Sequence, residues 1–146
     1  MIDKLSLKNI KLGQELPPQT KEITQEKITR NAEASLDYNP IHIDPAWAKK
    51  VNLLGKGSTI AHGMMTLSFM GKVVTDWAYP GGGTMRSLKS KFVSPVRPGD
   101  QLTAKAKISE IHPRKNEDSF IVLEVLVENQ ASIQVSVGEV GITIPN

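Results

Sequence analysis

The stretch from His62 to Tyr79 limits the possible folds of this chain more than any other. Wound as a helix, it places Met64, Met65, Leu67, Phe69, Met70, Val73, Val74 and Trp77 around most of its circumference. A helix that is apolar nearly all round has to be buried. It stops at Pro80-Gly81-Gly82-Gly83, where proline cannot continue the helix and glycine permits the turn.

Beyond the glycines the periodicity changes to two. Leu102, Ala104, Ala106 and Ile108 alternate with Thr103, Lys105 and Lys107, the pattern of a strand with one wet face. Ser119 to Asn129 and Ile133 to Ile144 are valine- and isoleucine-rich strands, and Met85 to Ser94 is another, ended by Pro95 and the Pro98-Gly99-Asp100 turn. In the last strand the apolar parity slips from Ile133, Val135 and Val137 to Val140, Ile142 and Ile144, which predicts a bulge near Gly138. Upstream, Ile28, Ala32 and Leu36 mark a short amphipathic helix from Thr24 to Leu36. Asp44-Pro45 opens a second, carrying Ala46, Trp47, Ala48 and Val51. A buried helix followed by four strands requires a sheet that curls round it, an α+β arrangement.

The 146 residues suit one domain spanning 1–146, with no repeat or linker-like stretch to divide it. Hydrophobic residues at 39% and charged residues at 23% describe a globular chain, and no segment has the apolar length of a membrane span. The amino end, Met1-Ile2-Asp3-Lys4-Leu5-Ser6-Leu7-Lys8, mixes charge into its apolar residues unlike a secretory leader, so a cytoplasmic location is expected. The absence of cysteine removes disulfides, thiol nucleophiles and thiolate metal sites together. His42, His62 and His112 have no short metal-ligand spacing, so no metal is expected, and no cofactor. The net charge of +3 comes from scattered lysines, which argues against nucleic acid but suits an anionic ligand or an acidic carrier protein. In Gly55-Lys56-Gly57-Ser58-Thr59 the lysine is misplaced for a phosphate loop, and a turn before the helix accounts for the glycines.

Two segments carry candidate chemistry. Asp37-Tyr38-Asn39-Pro40-Ile41-His42 holds an acid and a base, and Pro40 disfavours helix at Asn39, so the chain there is bent or extended. A bent loop lets Asp37 and His42 face one cleft, whereas a continuous helix would point them apart. Together they can take a proton from water and return one to carbon. The plainer alternative is that Asp37 caps a turn and His42 bonds to backbone. In Thr59-Ile60-Ala61-His62-Gly63-Met64, the Gly63 amide sits at the positive end of the buried helix, placed to donate to a developing oxyanion. There the alternative is that Gly63 only makes room for packing.

Together the two segments resemble the signature of the MaoC-like dehydratase and (R)-specific enoyl-CoA hydratase family, which includes (3R)-hydroxyacyl-carrier-protein dehydratase subunits. Pro95-Val96-Arg97-Pro98-Gly99-Asp100 fits the same pattern. The resemblance implies a hot-dog fold, a curled antiparallel sheet wrapped round the helix. It implies a hydro-lyase of fatty acid metabolism that interconverts a trans-2-enoyl thioester and a (3R)-hydroxyacyl thioester, carried on CoA or acyl carrier protein. Asp37, His42 and Gly63 become the catalytic residues, and Asn39, His62 and Met64 the substrate-contacting ones. A homodimer is expected, or a heterodimer with a related hot-dog subunit. The alternatives are a hot-dog thioesterase and a non-catalytic acyl-thioester-binding subunit. The chain departs from the pattern at Leu36, where glycine is usual, and at Gly71, where a serine is frequent. Leu36 is expected to narrow or reshape the cleft.

Overall fold

A computed structural model describes residues 4–145, so the first three residues of the charged amino end, and Asn146, lie outside it. The elements run β1 (Gln19–Glu22), α1 (Gln25–Ser35), α2 (Pro40–Ile43), α3 (Pro45–Lys50), α4 (Gly63–Ala78), β2 (Thr84–Phe92), β3 (Gln101–His112), β4 (Ser119–Glu128) and β5 (Gln134–Ile144). The strands form one antiparallel sheet in the order β1-β3-β4-β5-β2, and α4 lies against β2, β3, β4 and β5 together. This is the α+β arrangement that burial of the helix demands.

On α4 only Met64, Ser68, Lys72 and Asp76 form an exposed row, one helical turn apart. Phe69, Met70, Val73, Val74 and Ala78 are buried against the inner sheet face, where Leu102, Ile108, Ile121, Leu123, Val125, Val127, Val140 and Ile142 meet them. Lys72 pairs with Asp76 along the exposed row, and Gln19 of β1 donates to the same carboxylate at 3.0 Å. The Lys72 hydrogen bond, helped by Gln19, holds the Asp76 carboxyl below the usual carboxylate range. Its stabilising effect is therefore present above that range and is lost as the pH falls through its lowered folded-state pKa.

β1 has no counterpart in the sequence reading. Gln-Thr-Lys-Glu lacks apolar alternation because this edge strand is mostly exposed and is held by its ladder to residues 101–104 of β3. The bulge in β5 exists, but it sits at Val135 rather than near Gly138. Val127 pairs with Ser136 and Glu128 with Gln134, leaving Val135 as the extra residue. From Ser136 the inward positions run unbroken through Gly138 to Val140, Ile142 and Ile144, while Val137 faces outward. Apolar parity misled the reading because the inward sites at 136 and 138 are small. Met70 and the β2 backbone crowd them: a Cβ on Gly138 would lie 1.9 Å from the Lys89 carbonyl oxygen and 3.0 Å from Met70 Cε.

Gly138→Ala is expected to destabilise the fold by roughly 2–3 kcal/mol, because the obstruction is backbone and cannot rotate away. Urea denaturation followed by the two tryptophans measures the loss.

Candidate active site

The acidic segment is shaped by how α1 ends. Leu36 adopts φ 57° and ψ 25°, a left-handed cap, and the next amide, that of Asp37, donates to the Ala32 carbonyl at 3.1 Å. This reverses the chain and brings Asp37 out beside α2. The conformation explains why glycine suits the position. The Leu36 side chain is 77% exposed and is not part of the cleft lining, so it does not narrow the cleft; its consequence is backbone strain.

Asn39 then caps α2, its Oδ1 accepting from the Ile41 amide at 3.2 Å, while its own amide reaches Asp37 Oδ1 at 3.4 Å. Pro40 occupies the first turn, so the bend expected before the proline is a cap followed by one turn of helix. Asp44 caps α3 through a 2.8 Å bond from the Trp47 amide.

His42, only 8% exposed, points its Nδ1 at the Ile60 carbonyl, 2.7 Å away. A carbonyl only accepts, so Nδ1 carries the proton and Nε2 of the neutral ring presents a lone pair. That lone pair faces Asp37 Oδ2 at 3.9 Å. Two acceptors do not bond to each other, and at this separation one water can donate a proton to each. His62 lies beneath, its ring stacked on His42 with centroids 3.8 Å apart and planes 24° from parallel. Its Nε2–H donates to the Asp37 backbone carbonyl at 3.1 Å, and its buried Nδ1 has no partner. His62 is thus placed to fix Asp37 and support His42 from behind.

A cleft of about 360 Å³ opens beside His42, lined by Gly63, Thr66, Phe92, Ser94 and Val135 among others. Gly63 is the first residue of α4, so its amide has no acceptor within the helix. A Cβ there would come within 2.8 Å of the Phe92 ring, so glycine is what lets the ring lie over the helix end. His42 and Gly63 belong to this lining, whereas Asp37, Asn39, His62 and Met64 do not; Met64 starts the exposed row of α4. Asp37, with 53% of its side chain exposed, stands at the solvent side of the two histidines. A larger recess of about 500 Å³ near Leu16 and Val137 on the outer side of the sheet carries the Lys107–Glu124 pair at 3.7 Å, but no juxtaposed acid and free base.

Asp37, His42 and His62 each offer one donor atom, all within 4.8 Å of one another. Their geometry does not suit a shared metal. The stacked rings aim their Nε2 atoms along nearly parallel planes, so one ion cannot lie in both, and the His62 Nε2 proton is engaged by a carbonyl.

Sequence reasoning missed Thr66, Phe92, Ser94 and Gln25. Thr66 follows Gly63 by one helical turn, a spacing that could have revealed it. Phe92 and Ser94 reach the cleft only because β2 runs back past the start of α4. Gln25 donates to the His42 carbonyl at 2.8 Å and accepts from the Thr59 hydroxyl, contacts no local pattern announces.

The sequence pattern described as a MaoC like domain matches residues 8–130. An (R)-specific enoyl-CoA hydratase of Rhodospirillum rubrum is 31% identical over 79% of this chain and 81% of its own length. A fatty acid synthase subunit beta of Aspergillus oryzae is 41% identical over 50% of the chain, which spans only 4% of that relative. Among solved structures, an R-hydratase from Pseudomonas aeruginosa in unliganded form superposes with a TM-score of 0.81 at 27% identity, covering 95% of this chain and 84% of that one.

Leu36→Gly is expected to stabilise the protein by about 1 kcal/mol by relieving the left-handed strain. A rise in the midpoint of thermal unfolding is the readout, and no change in the midpoint would argue against strain at this cap.

Proposed function

Because the chain belongs to the family of MaoC-like domains, we propose that it is a hydro-lyase acting on acyl thioesters, adding water to a trans-2-enoyl thioester and removing it from the (3R)-hydroxyacyl product. The observation that carries this reading is the pair of acceptors, His42 Nε2 and Asp37 Oδ2, facing each other 3.9 Å apart.

In this reading a water donates one proton toward each acceptor, which leaves its oxygen lone pairs directed at the substrate. The oxygen adds to the β carbon as one proton passes to the dyad, and a proton from the dyad completes the α carbon. The negative charge that develops on the thioester oxygen is met by the Gly63 amide, strengthened by the α4 dipole behind it. Dehydration follows the same path in reverse. Asn39 holds the loop that presents Asp37, His62 pins the Asp37 carbonyl, and Thr66 and Phe92 flank the acyl group. The acyl group is carried on CoA or on acyl carrier protein, toward which the net positive charge favours encounter.

β2 is an edge strand bonded only to β5, with Phe92 and the following Val93 both about half exposed beside the cleft. Pairing through that edge would cover the exposed ladder and wall the cleft, and we read the protein as a homodimer. Among the described residues no helix is long and apolar enough to cross a membrane, and the reading places a single 1–146 domain in the cytoplasm.

Hydration of short and medium trans-2-enoyl-CoA substrates, followed by loss of the enoyl absorbance, tests the proposal. Asp37→Asn and His42→Ala should each lower kcat by about 10²- to 10⁴-fold. Undiminished turnover in both variants, or release of free thiol in place of hydroxyacyl product, would overturn it.

A further inference from the structure

α2 spans only Pro40–Ile43, so most of its carbonyls have no acceptor role within the helix and need donors from elsewhere. The Pro40 carbonyl is taken by the Asp44 amide at 3.1 Å. The next two are taken from outside α2. Ile41 O accepts from the Ile60 amide at 3.0 Å, and His42 O accepts from Gln25 Nε2 at 2.8 Å. The same Gln25 side chain accepts, through Oε1, the proton of the Thr59 hydroxyl, and Thr59 is only 1% exposed. The amide orientation is determined: turned over, Gln25 would set its oxygen against the His42 carbonyl.

Gln25 therefore joins α1 to both halves of the site. One arm holds the backbone of His42 and the other holds the 59–62 segment, whose Ile60 carbonyl receives the His42 Nδ1 proton at 2.7 Å. These bonds close a loop: Gln25 to His42 backbone, His42 ring to Ile60, and Thr59 back to Gln25. Ala61 adds a bond to the Val96 carbonyl at 2.8 Å, which anchors the segment on its other side.

We propose that Gln25 is a positioning residue for the hydration reaction, fixing the Ile60 carbonyl against His42 so that the imidazole stays in the Nδ1–H tautomer with its Nε2 lone pair free for water. This rests on the reading of Asp37 and His42 as the acid/base pair. The Gln25 side chain bonds the His42 carbonyl and the Thr59 hydroxyl, neither of which is a reacting group. When it is lost, the His42 carbonyl and the Thr59 hydroxyl lose their partner, and the alignment of the Ile60 carbonyl with His42 is left to the Ile60–Ile41 backbone bond and the Ala61–Val96 anchor. The Nε2–H tautomer, which cannot accept a proton from water, then gains population.

The test compares Gln25→Ala, Thr59→Val and Thr59→Ser with Ile28→Val, which removes a buried methyl group one turn further along α1 without touching the bridge. Tautomers are read from long-range nitrogen–proton correlation spectra of the histidine rings in the resting protein, and turnover from the enoyl-CoA assay. Gln25→Ala and Thr59→Val are expected to lower kcat about ten- to a hundredfold, with KM changed by less than about twofold, and to give a mixture of His42 tautomers. Thr59→Ser, which keeps the hydroxyl, is expected to recover most of that activity, and Ile28→Val to leave the His42 tautomer pure. A Gln25→Ala protein whose His42 remains wholly Nδ1–H overturns the proposal whatever its activity. So does an Ile28→Val protein that loses as much kcat at a matched loss of thermal stability. Absence of hydration by the unaltered protein would instead sink the dyad reading, and the tautomer spectra would still decide the part played by Gln25.

Discussion

Burial of α4 is the constraint from which the rest of the structure follows. Only one row of it is exposed, and the only way to dry so wide a surface with a single sheet is to curl the sheet round it. A helix held in this way cannot tilt freely, so its first amide occupies a defined place. Gly63, whose N–H has no acceptor within the helix, thus lines the cleft at the positive end of a dipole that the core itself keeps oriented. The stability of the core and the electrostatics of the site share one element.

Asp37 and His42 are brought together by short capped elements rather than long ones. The left-handed turn at Leu36, the Asn39 cap and the single turn of α2 each spend few residues and leave backbone groups to be satisfied by neighbours. Those neighbours are the 59–62 segment and Gln25, which is why the two candidate motifs, though separate in the chain, are bonded to each other through their backbones. Orphan carbonyls at the end of a very short helix serve here as the attachment points of the candidate site.

The proposed chemistry depends on which nitrogen holds a proton. Ile60 O commits Nδ1 of His42 as a donor, and Asp37 O commits Nε2 of His62. Two stacked imidazoles are therefore held in opposite tautomers, one presenting a lone pair toward Asp37 Oδ2 and the other a proton toward the Asp37 backbone. The same stacking keeps the rings from converging on a metal ion, so the cluster suits a bound water better than a cation.

Much of this was legible in the residues themselves. Circumferential apolarity predicted the buried helix, period-two alternation predicted β3, valine- and isoleucine-rich runs predicted β4 and β5, and Pro40 and Asp44-Pro45 marked the break after α1 and the start of α3, because local sterics and local burial are written in local sequence; the single turn of α2 was not foreseen. Asp37, His42 and Gly63 were identified as candidates from residue type, spacing and resemblance. The tertiary structure alone decided the rest. β1 exists only through its ladder to β3, the bulge sits at Val135 while Met70 and β2 keep the inward residue at 138 small, and His62 lies behind His42 and outside the cleft lining. Gln25 carried no signal at all, since its partners are 17 and 34 residues away. A hydrogen bond between distant segments depends on where packing delivers them, and no short stretch of sequence records that.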